Sequence, residues 1–302
     1  MKLISILLVL ASLLSACSMK EFPPVFISSK TALDYPSGST IAYLSGKFFV
    51  MGDDAAEILV LNAKLDEIER IAIFPKGISV RLPKTLKADI EASVVLRQDG
   101  IESIIFMGSG SFSPQRDTAF SFNPISKLVK RMDMTAFYDQ IRVQLSDLNI
   151  EAATSVGNNL LIGVRANRSH PDNNLVMAKP VENSYQVDRK IKIQLSIDQA
   201  GISGMDYDEK GDVLFITFST EDTVNSYDDG EIGESYLAII PGAKLLLQMQ
   251  SLNVTSLIKL SDIHAEFKNQ KIESVSLTGE DRKLLLVADD DQGNTKFFEI
   301  KF

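Results

Sequence analysis

The sequence predicts an all-β fold, a β-propeller most simply built from five four-stranded blades and closed by pairing an N-terminal strand with the C-terminal blade. Three observations predict it. Short runs of Val, Ile, Leu and Phe are bounded along most of the chain by turn signals such as Asn-Pro, Asp-Gly, Lys-Gly and Gly-Asn. One two-strand pattern recurs five times. The last copy is one strand short of a blade, and a spare strand lies ahead of the first copy.

The N-terminal segment comes first in chain order. Lys2 is a short positive region, and residues 3–14 are apolar apart from Ser5 and Ser12. That run suits a signal peptide and is too short to span a bilayer comfortably. It ends in Leu14-Ser15-Ala16-Cys17, with a small residue before the only cysteine in the chain. This box resembles the lipobox of bacterial lipoproteins. The resemblance implies that residues 1–16 are a cleaved signal peptide and that Cys17 carries the lipid (palmitate among its chains). Ser18 stands where Asp marks inner-membrane retention in Gram-negative lipoproteins. The expected location is therefore the outer membrane, facing the periplasm. Residues 17–23 read as a tether and residues 24–302 as the propeller domain. With no second cysteine, no intramolecular disulfide can form, and stability must come from a core.

The spare strand is Pro24 to Ser29. The first copy of the repeat follows as Ser39-Thr40-Ile41-Ala42-Tyr43-Leu44, a Ser-Gly turn, and Phe48-Phe49-Val50-Met51. The second is Ile90-Glu91-Ala92-Ser93-Val94-Val95-Leu96, a turn through Asp99-Gly100, and Ile104-Ile105-Phe106-Met107-Gly108. The third begins Ile150-Glu151-Ala152-Ala153-Thr154, the fourth Ile202-Ser203-Gly204-Met205-Asp206-Tyr207, and the fifth Ile272-Glu273-Ser274-Val275-Ser276-Leu277. Each has Glu or Ser, a small residue, a short strand, a tight turn and a more apolar strand. The marker residues fall at 39, 91, 151, 203 and 273, so the intervals are 52, 60, 52 and 70 residues. A four-stranded blade takes roughly 40–50 residues before loop insertions. The long fourth interval holds an acidic loop from Ser219 to Glu234 and leaves room for a sixth blade. The best helical candidate is the stretch from Met134 to Leu148. Only three strands fit after Glu273, so Pro24–Ser29 would complete that blade and cover both edges. A large β-sandwich is the rival architecture, but nothing in a sandwich calls for a recurring Glu-small-apolar signature.

In a propeller the first strand of each blade lines the channel, and the hairpin returns the end of the second strand to the same face. Ser39, Glu91, Glu151, Ser203 and Glu273 are therefore expected in a ring at one mouth. Three carboxylates around one axis repel unless something positive lies between them. Ca²⁺ would serve, as would Lys87, Arg116 or Arg165 reaching inward, and the glutamates could equally cap backbone N–H groups of a neighbouring blade. Lys87, Ser109, Ser111, Arg116 and Arg165 form a candidate anion site. Most of them belong to or adjoin the small-residue loop from Gly108 to Asp117, where exposed N–H groups and an Arg suit phosphate or carboxylate. Asp289, Asp290 and Asp291 are a secondary acidic loop with some calcium-loop character but no EF-hand spacing.

Composition excludes several classes. The formal charge of −9 becomes −10 once Lys2 is cleaved away, which disfavours nucleic acid and anionic lipid as partners. His170 and His264 lie far apart in a chain with one cysteine, so a zinc site is not expected. The chain holds no nucleotide P-loop, no Gly-x-Ser-x-Gly elbow and no His-Glu-x-x-His, and His170 has no recognisable partner in the sequence.

Lys87-Ala88-Asp89-Ile90-Glu91-Ala92 resembles the Asp-hydrophobic-Glu-small motif of phytase-like, or esterase-like, β-propellers. The loop Gly108 to Ser111 with Arg116-Asp117-Thr118-Ala119 is similar to the loop that follows the motif there. In propeller phytases, acidic residues on one face hold several calcium ions and a phosphate ester. Ser39 and Ser203 replace Glu in two blades here, and a full set of calcium ligands is not matched. The expectation is a monomeric lipoprotein, not catalytic in the first instance. Its acidic channel mouth would bind a ligand, a cation such as Ca²⁺, a small anion or an envelope protein. The alternatives are a calcium-dependent phosphoesterase, with Glu91, Glu151 and Glu273 on metal and Arg116 and Lys87 on phosphate, and a non-catalytic envelope scaffold.

Overall fold

A computed structural model describes residues 23–74, 81–84, 86–98, 100–182, 184–221, 232–289 and 294–302. Strand β1 (Val25–Ala32) opens it. Blade one is β2 (Gly38–Leu44), β3 (Lys47–Gly52), β4 (Glu57–Leu61) and β5 (Glu67–Ala72). Blade two is β6 (Ile90–Gln98), β7 (Ile101–Gly108), β8 (Thr118–Asn123) and β9 (Leu128–Asp133), followed by helix α1 (Thr135–Arg142). Blade three is β10 (Ile150–Val156), β11 (Asn159–Val164), β12 (Asn174–Val181) and β13 (Ser184–Gln194). Blade four starts with β14 (Ala200–Asp208), β15 (Val213–Glu221) and β16 (Ile232–Pro241). The chain then crosses to blade three, where β17 (Ser251–Asn253) pairs parallel with β13, and returns as β18 (Leu257–Lys259), the outer strand of blade four. Blade five is β19 (Lys271–Leu277), β20 (Lys283–Asp289) and β21 (Thr295–Lys301), with β1 on its outer edge.

The protein is thus a five-bladed β-propeller, and β1 pairs antiparallel with β21 from Val25↔Lys301 to Ala32↔Thr295. This pairing removes two sheet edges that would otherwise invite association. Residues 222–231 of the acidic loop lie outside the described residues, and among those no sixth blade occupies the long fourth interval. Its length goes into the excursion through a short helix, Ala243–Leu246, and β17. Of the helical candidate, only Thr135–Arg142 is helix, and Phe137, Tyr138 and Ile141 are its buried face.

Sequence pattern explains which strand lies where. The inner strands β2, β6, β10, β14 and β19 pack side by side around the axis, each between two neighbours. A strand covered on both faces needs apolar or small residues at successive positions, not alternation. β2 is buried at all but one position, whereas the outer strand β13 mostly alternates exposed with half-buried residues. The core is divided among the five blade interfaces. Phe106 and Phe122 pack between blades one and two, Met107 and Ile162 between two and three, and Ile202 and Leu214 between three and four. Phe215 and Phe298 pack between four and five, and Phe48 and Phe297 between five and one. Gly204 lets two inner strands approach, since a Cβ there would lie 2.6 Å from the Ser274 Cα.

Each inner strand has one break in register near its start. The pairing skips Ser39 in β2, Glu91 in β6, Glu151 in β10, Ser203 in β14 and Glu273 in β19. The repeated residue is therefore a β-bulge. A bulged residue has no cross-strand partner and its side chain is re-aimed out of the ladder. The five bulges occupy equivalent places at one end of the channel.

Candidate functional site

The ring residues do different work at their equivalent positions. Ser39 donates its hydroxyl to the carbonyl oxygens of Ile90 and Met51, linking blades one and two. Ser203 donates to Thr217 Oγ1 at 3.2 Å within its own blade. Glu151 accepts from Asn149 Nδ2 at 2.7 Å and has Arg165 Nη1 at 3.6 Å. Glu273 is buried and pairs with Lys271 Nζ at 3.1 Å. Glu91 is half-buried and has no hydrogen bond or ion pair to a described residue. Burial first, then the charges of Glu151, Asp89, Asp53 and Glu273, holds its carboxyl well above the ordinary carboxylate range. The three glutamates are the bulged residues at the starts of equivalent inner strands.

Beside Glu91 lies a cluster that the repeat did not reveal. One carboxylate oxygen each from Asp53, Asp89 and Glu91 lies within 4.8 Å of the others. Asp53 comes from the loop after β3, and Asp89 sits two residues before the bulge of β6. Lys87 Nζ bridges Asp53 Oδ2 at 2.5 Å and Asp89 Oδ1 at 2.8 Å. Burial works against this ammonium, but the two carboxylates outweigh it and raise its pKa above the ordinary lysine value. On its other side, Asp89 Oδ2 receives Arg116 Nη1 at 2.6 Å and the Ser109 hydroxyl at 2.5 Å. Ser111 accepts from Arg116 at 2.6 Å and donates to Asp89 at 3.4 Å. Asp89 has φ of 56°, a left-handed conformation that Asp tolerates better than most residues. Gly108 is needed next to it, because a Cβ there would meet the Arg116 carbonyl oxygen at 2.5 Å and the Ala88 carbonyl oxygen at 2.6 Å.

The residues read from sequence as an anion site are thus brought together, but around a carboxylate of the protein. Lys87, Ser109, Ser111 and Arg116 converge on Asp89. Arg165 lies apart from them, donating to the carbonyl oxygens of Ile202 and Ser219 at 3.2 Å each. Asp54 Oδ2 is paired with Arg81 Nε at 2.7 Å, and burial followed by the charge of Asp53 raises its carboxyl above the usual value. Two oxygens, Asp53 Oδ1 and Asp54 Oδ1, are buried with no hydrogen-bond partner. Asp289 ends β20, paired in register with Lys271, and its charge acts on Arg81. Asp290, Asp291 and Cys17 lie outside the described residues, as does the segment from 1 to 22.

His170, without a partner in the sequence, has two in the structure. Its Nε2 lies 3.1 Å from Ser146 Oγ, and its Nδ1 lies 3.4 Å from Asp147 Oδ2. With 48% of the histidine side chain exposed, the three residues tie the loop before β10 to the loop after β11 at the surface. Adjacency of those loops is a tertiary fact that no spacing encodes.

The five blades define a closed β-propeller with a ring of five bulged residues at one channel mouth. The chain belongs to the family of unknown function DUF6929, whose pattern matches residues 34–302. No curated protein matches it. Among solved structures it is similar to glutaminyl cyclase of Myxococcus xanthus, at 8% identity and a TM-score of 0.52 over 92% of this chain and 96% of that one. It is also similar to the tail fiber of Staphylococcus aureus phage P68, at 11% identity and a TM-score of 0.49 over 94% of this chain and 53% of that one. At such identity the cyclase likeness speaks to the fold alone.

Proposed function

We propose that the protein is a binding module of the bacterial cell envelope, tethered through a lipid on Cys17, whose channel mouth takes a cation between Glu91, Asp53 and Asp89. The observation that carries the reading is the pair of unanswered acceptors. Glu91 has no partner among the described residues, and Asp53 Oδ1 is buried without a donor, within a cluster only 4.8 Å across. Polar oxygens removed from water without a donor are costly, and adjacent carboxylates raise that cost. A cation relieves both. Three carboxylates face the charges of Lys87 and Arg116, so one negative charge is left over. Ca²⁺ suits such oxygens, with water completing its six to eight ligands.

A phosphoesterase is the weaker reading. Phosphate recognition needs basic groups free to turn toward the ligand, and Lys87 and Arg116 are engaged with Asp53 and Asp89. The channel-mouth reading is tested by calorimetric titration with CaCl₂ and by melting in EDTA. Ca²⁺ should raise the melting temperature of the wild type, and Glu91→Gln and Asp53→Asn should each abolish the rise. A wild-type melting curve identical in EDTA and in excess Ca²⁺ would sink the cation reading. For the tether, Cys17→Ser should move the protein from the membrane fraction to the soluble periplasm.

A further inference from the structure

At the end of the channel opposite the bulge ring, the inner strands surround a cavity of about 280 Å³. Its wall draws on all five blades and includes Tyr43, Ser93, Thr154, Asp206, Tyr207 and Ser276. No lysine, arginine or histidine lines it, and Asp206 is its single charged residue. The carboxylate is held by neutral donors. Oδ1 accepts from the Tyr207 N–H at 2.8 Å and the Thr154 hydroxyl at 3.2 Å, and Oδ2 accepts from the Leu277 N–H at 2.8 Å. The Ser276 hydroxyl donates to the Leu277 carbonyl oxygen at 3.0 Å. Asp206 has no ion pair with a described residue.

These facts narrow the ligand. Three donors take up most of the lone-pair positions of a carboxylate, so Asp206 has little left to offer a metal ion as a direct ligand. The donors orient the group but do not cancel its charge. A buried charge is ordinarily paired, and the cavity is the space in which its counter-charge could sit. The fitting cation is one that neither donates hydrogen bonds nor demands lone pairs. A quaternary ammonium group meets both conditions. Its charge is spread over methyl groups, which pack on apolar and aromatic surface while remaining attracted to a nearby anion. The cavity offers such surface in Met205, Leu277 and the two tyrosines.

We propose that this cavity is a second binding site, separate from the acidic mouth, for a small quaternary ammonium compound. It is tested by calorimetric titration in EDTA with choline, tetramethylammonium and 3,3-dimethylbutan-1-ol, the neutral carbon analogue of choline. Choline and tetramethylammonium should bind, and the neutral analogue should bind at least about tenfold more weakly. Glu91→Gln should leave choline binding unchanged, and Asp206→Asn should weaken it by about tenfold or more. Where Asn at position 206 costs the fold, Ser155→Leu serves instead. It fills the cavity from a half-buried wall position, leaves every donor to Asp206 in place, and should abolish choline binding with an unchanged circular dichroism spectrum. Equal binding of choline and its neutral analogue overturns the proposal, as does no choline binding to the wild type. Binding that survives Ser155→Leu but is lost in Glu91→Gln overturns it too, by assigning the cation to the mouth.

Discussion

The two ends of the channel keep carboxylates out of water by opposite means. At the bulge end, Asp89 is matched by charge, with Lys87 on one oxygen and Arg116 on the other. At the far end, Asp206 is matched by two backbone N–H groups and one hydroxyl, drawn from blades three, four and five. Burial still pushes the Asp206 carboxyl above its ordinary value despite those donors. The difference teaches that charge pairing lets several carboxylates crowd one mouth, whereas dipoles alone hold one carboxylate and latch three blades around it. It also predicts that damage at the two ends will differ in kind.

The largest effect is expected at the charge-paired end. Arg116→Met keeps much of the side-chain volume but leaves buried Asp89 short of a counter-charge. Urea denaturation should show a loss of about 3–5 kcal/mol, the range for breaking a buried pair on one side. A loss under about 1 kcal/mol would mean that Lys87 alone suffices and that the pairing contrast is overstated. At the dipole-held end, Asp206→Ala strands neutral donors, not a charge. The expected loss is smaller, about 2–3 kcal/mol, from the N–H groups of Leu277 and Tyr207. Parity between the two substitutions would erase the distinction.

Glu91→Gln sharpens the comparison from the other side, because it removes an unpaired charge. In EDTA at neutral pH the variant should be more stable than the wild type. The sign follows from linkage. The folded-state pKa of Glu91 lies above its ordinary value of 4.5, so the folded protein holds that proton more tightly than the unfolded chain. The stability this supplies is full below pH 4.5 and is lost as pH rises through the raised folded-state pKa. Wild type and variant should therefore match near pH 4 and diverge above it, as pH-dependent denaturation would show. The smallest effect belongs to an exposed pair away from the channel. Lys179→Ala removes one of the two cationic partners of Asp188, leaving Arg189, on the outer strands of blade three and should leave the melting temperature unchanged within error.

Much of this contrast was legible in the sequence at one end and almost none at the other. Ser39, Glu91, Glu151, Ser203 and Glu273 announce themselves because a bulge at the start of every inner strand repeats the same local demand. Asp89 stood inside the quoted segment, and its left-handed backbone was a local signal that spacing did not expose. Asp53 follows β3 and reaches the cluster only because blade one packs against blade two. Asp206 reads as one more polar residue in a strand. Its donors Thr154 and Leu277 lie 52 and 71 residues away. Lys87 and Arg116 looked like cations awaiting an anion, and only three-dimensional contact shows that the anion is Asp89.

The sequence by itself determined the five strand units, the Glu or Ser that marks the start of each, and the closure of the last blade by a strand from the other end. Those depend on short apolar runs, turn residues and unpaired edges, all written within a few residues of where they act. Tertiary structure alone decided which charge meets which, where the length of the fourth interval went, and that the channel ends in a cavity with one lone carboxylate. The physical reason is that ion pairs and cavities form where blades meet. A closed ring brings together residues whose separation along the chain carries no information about their distance in space.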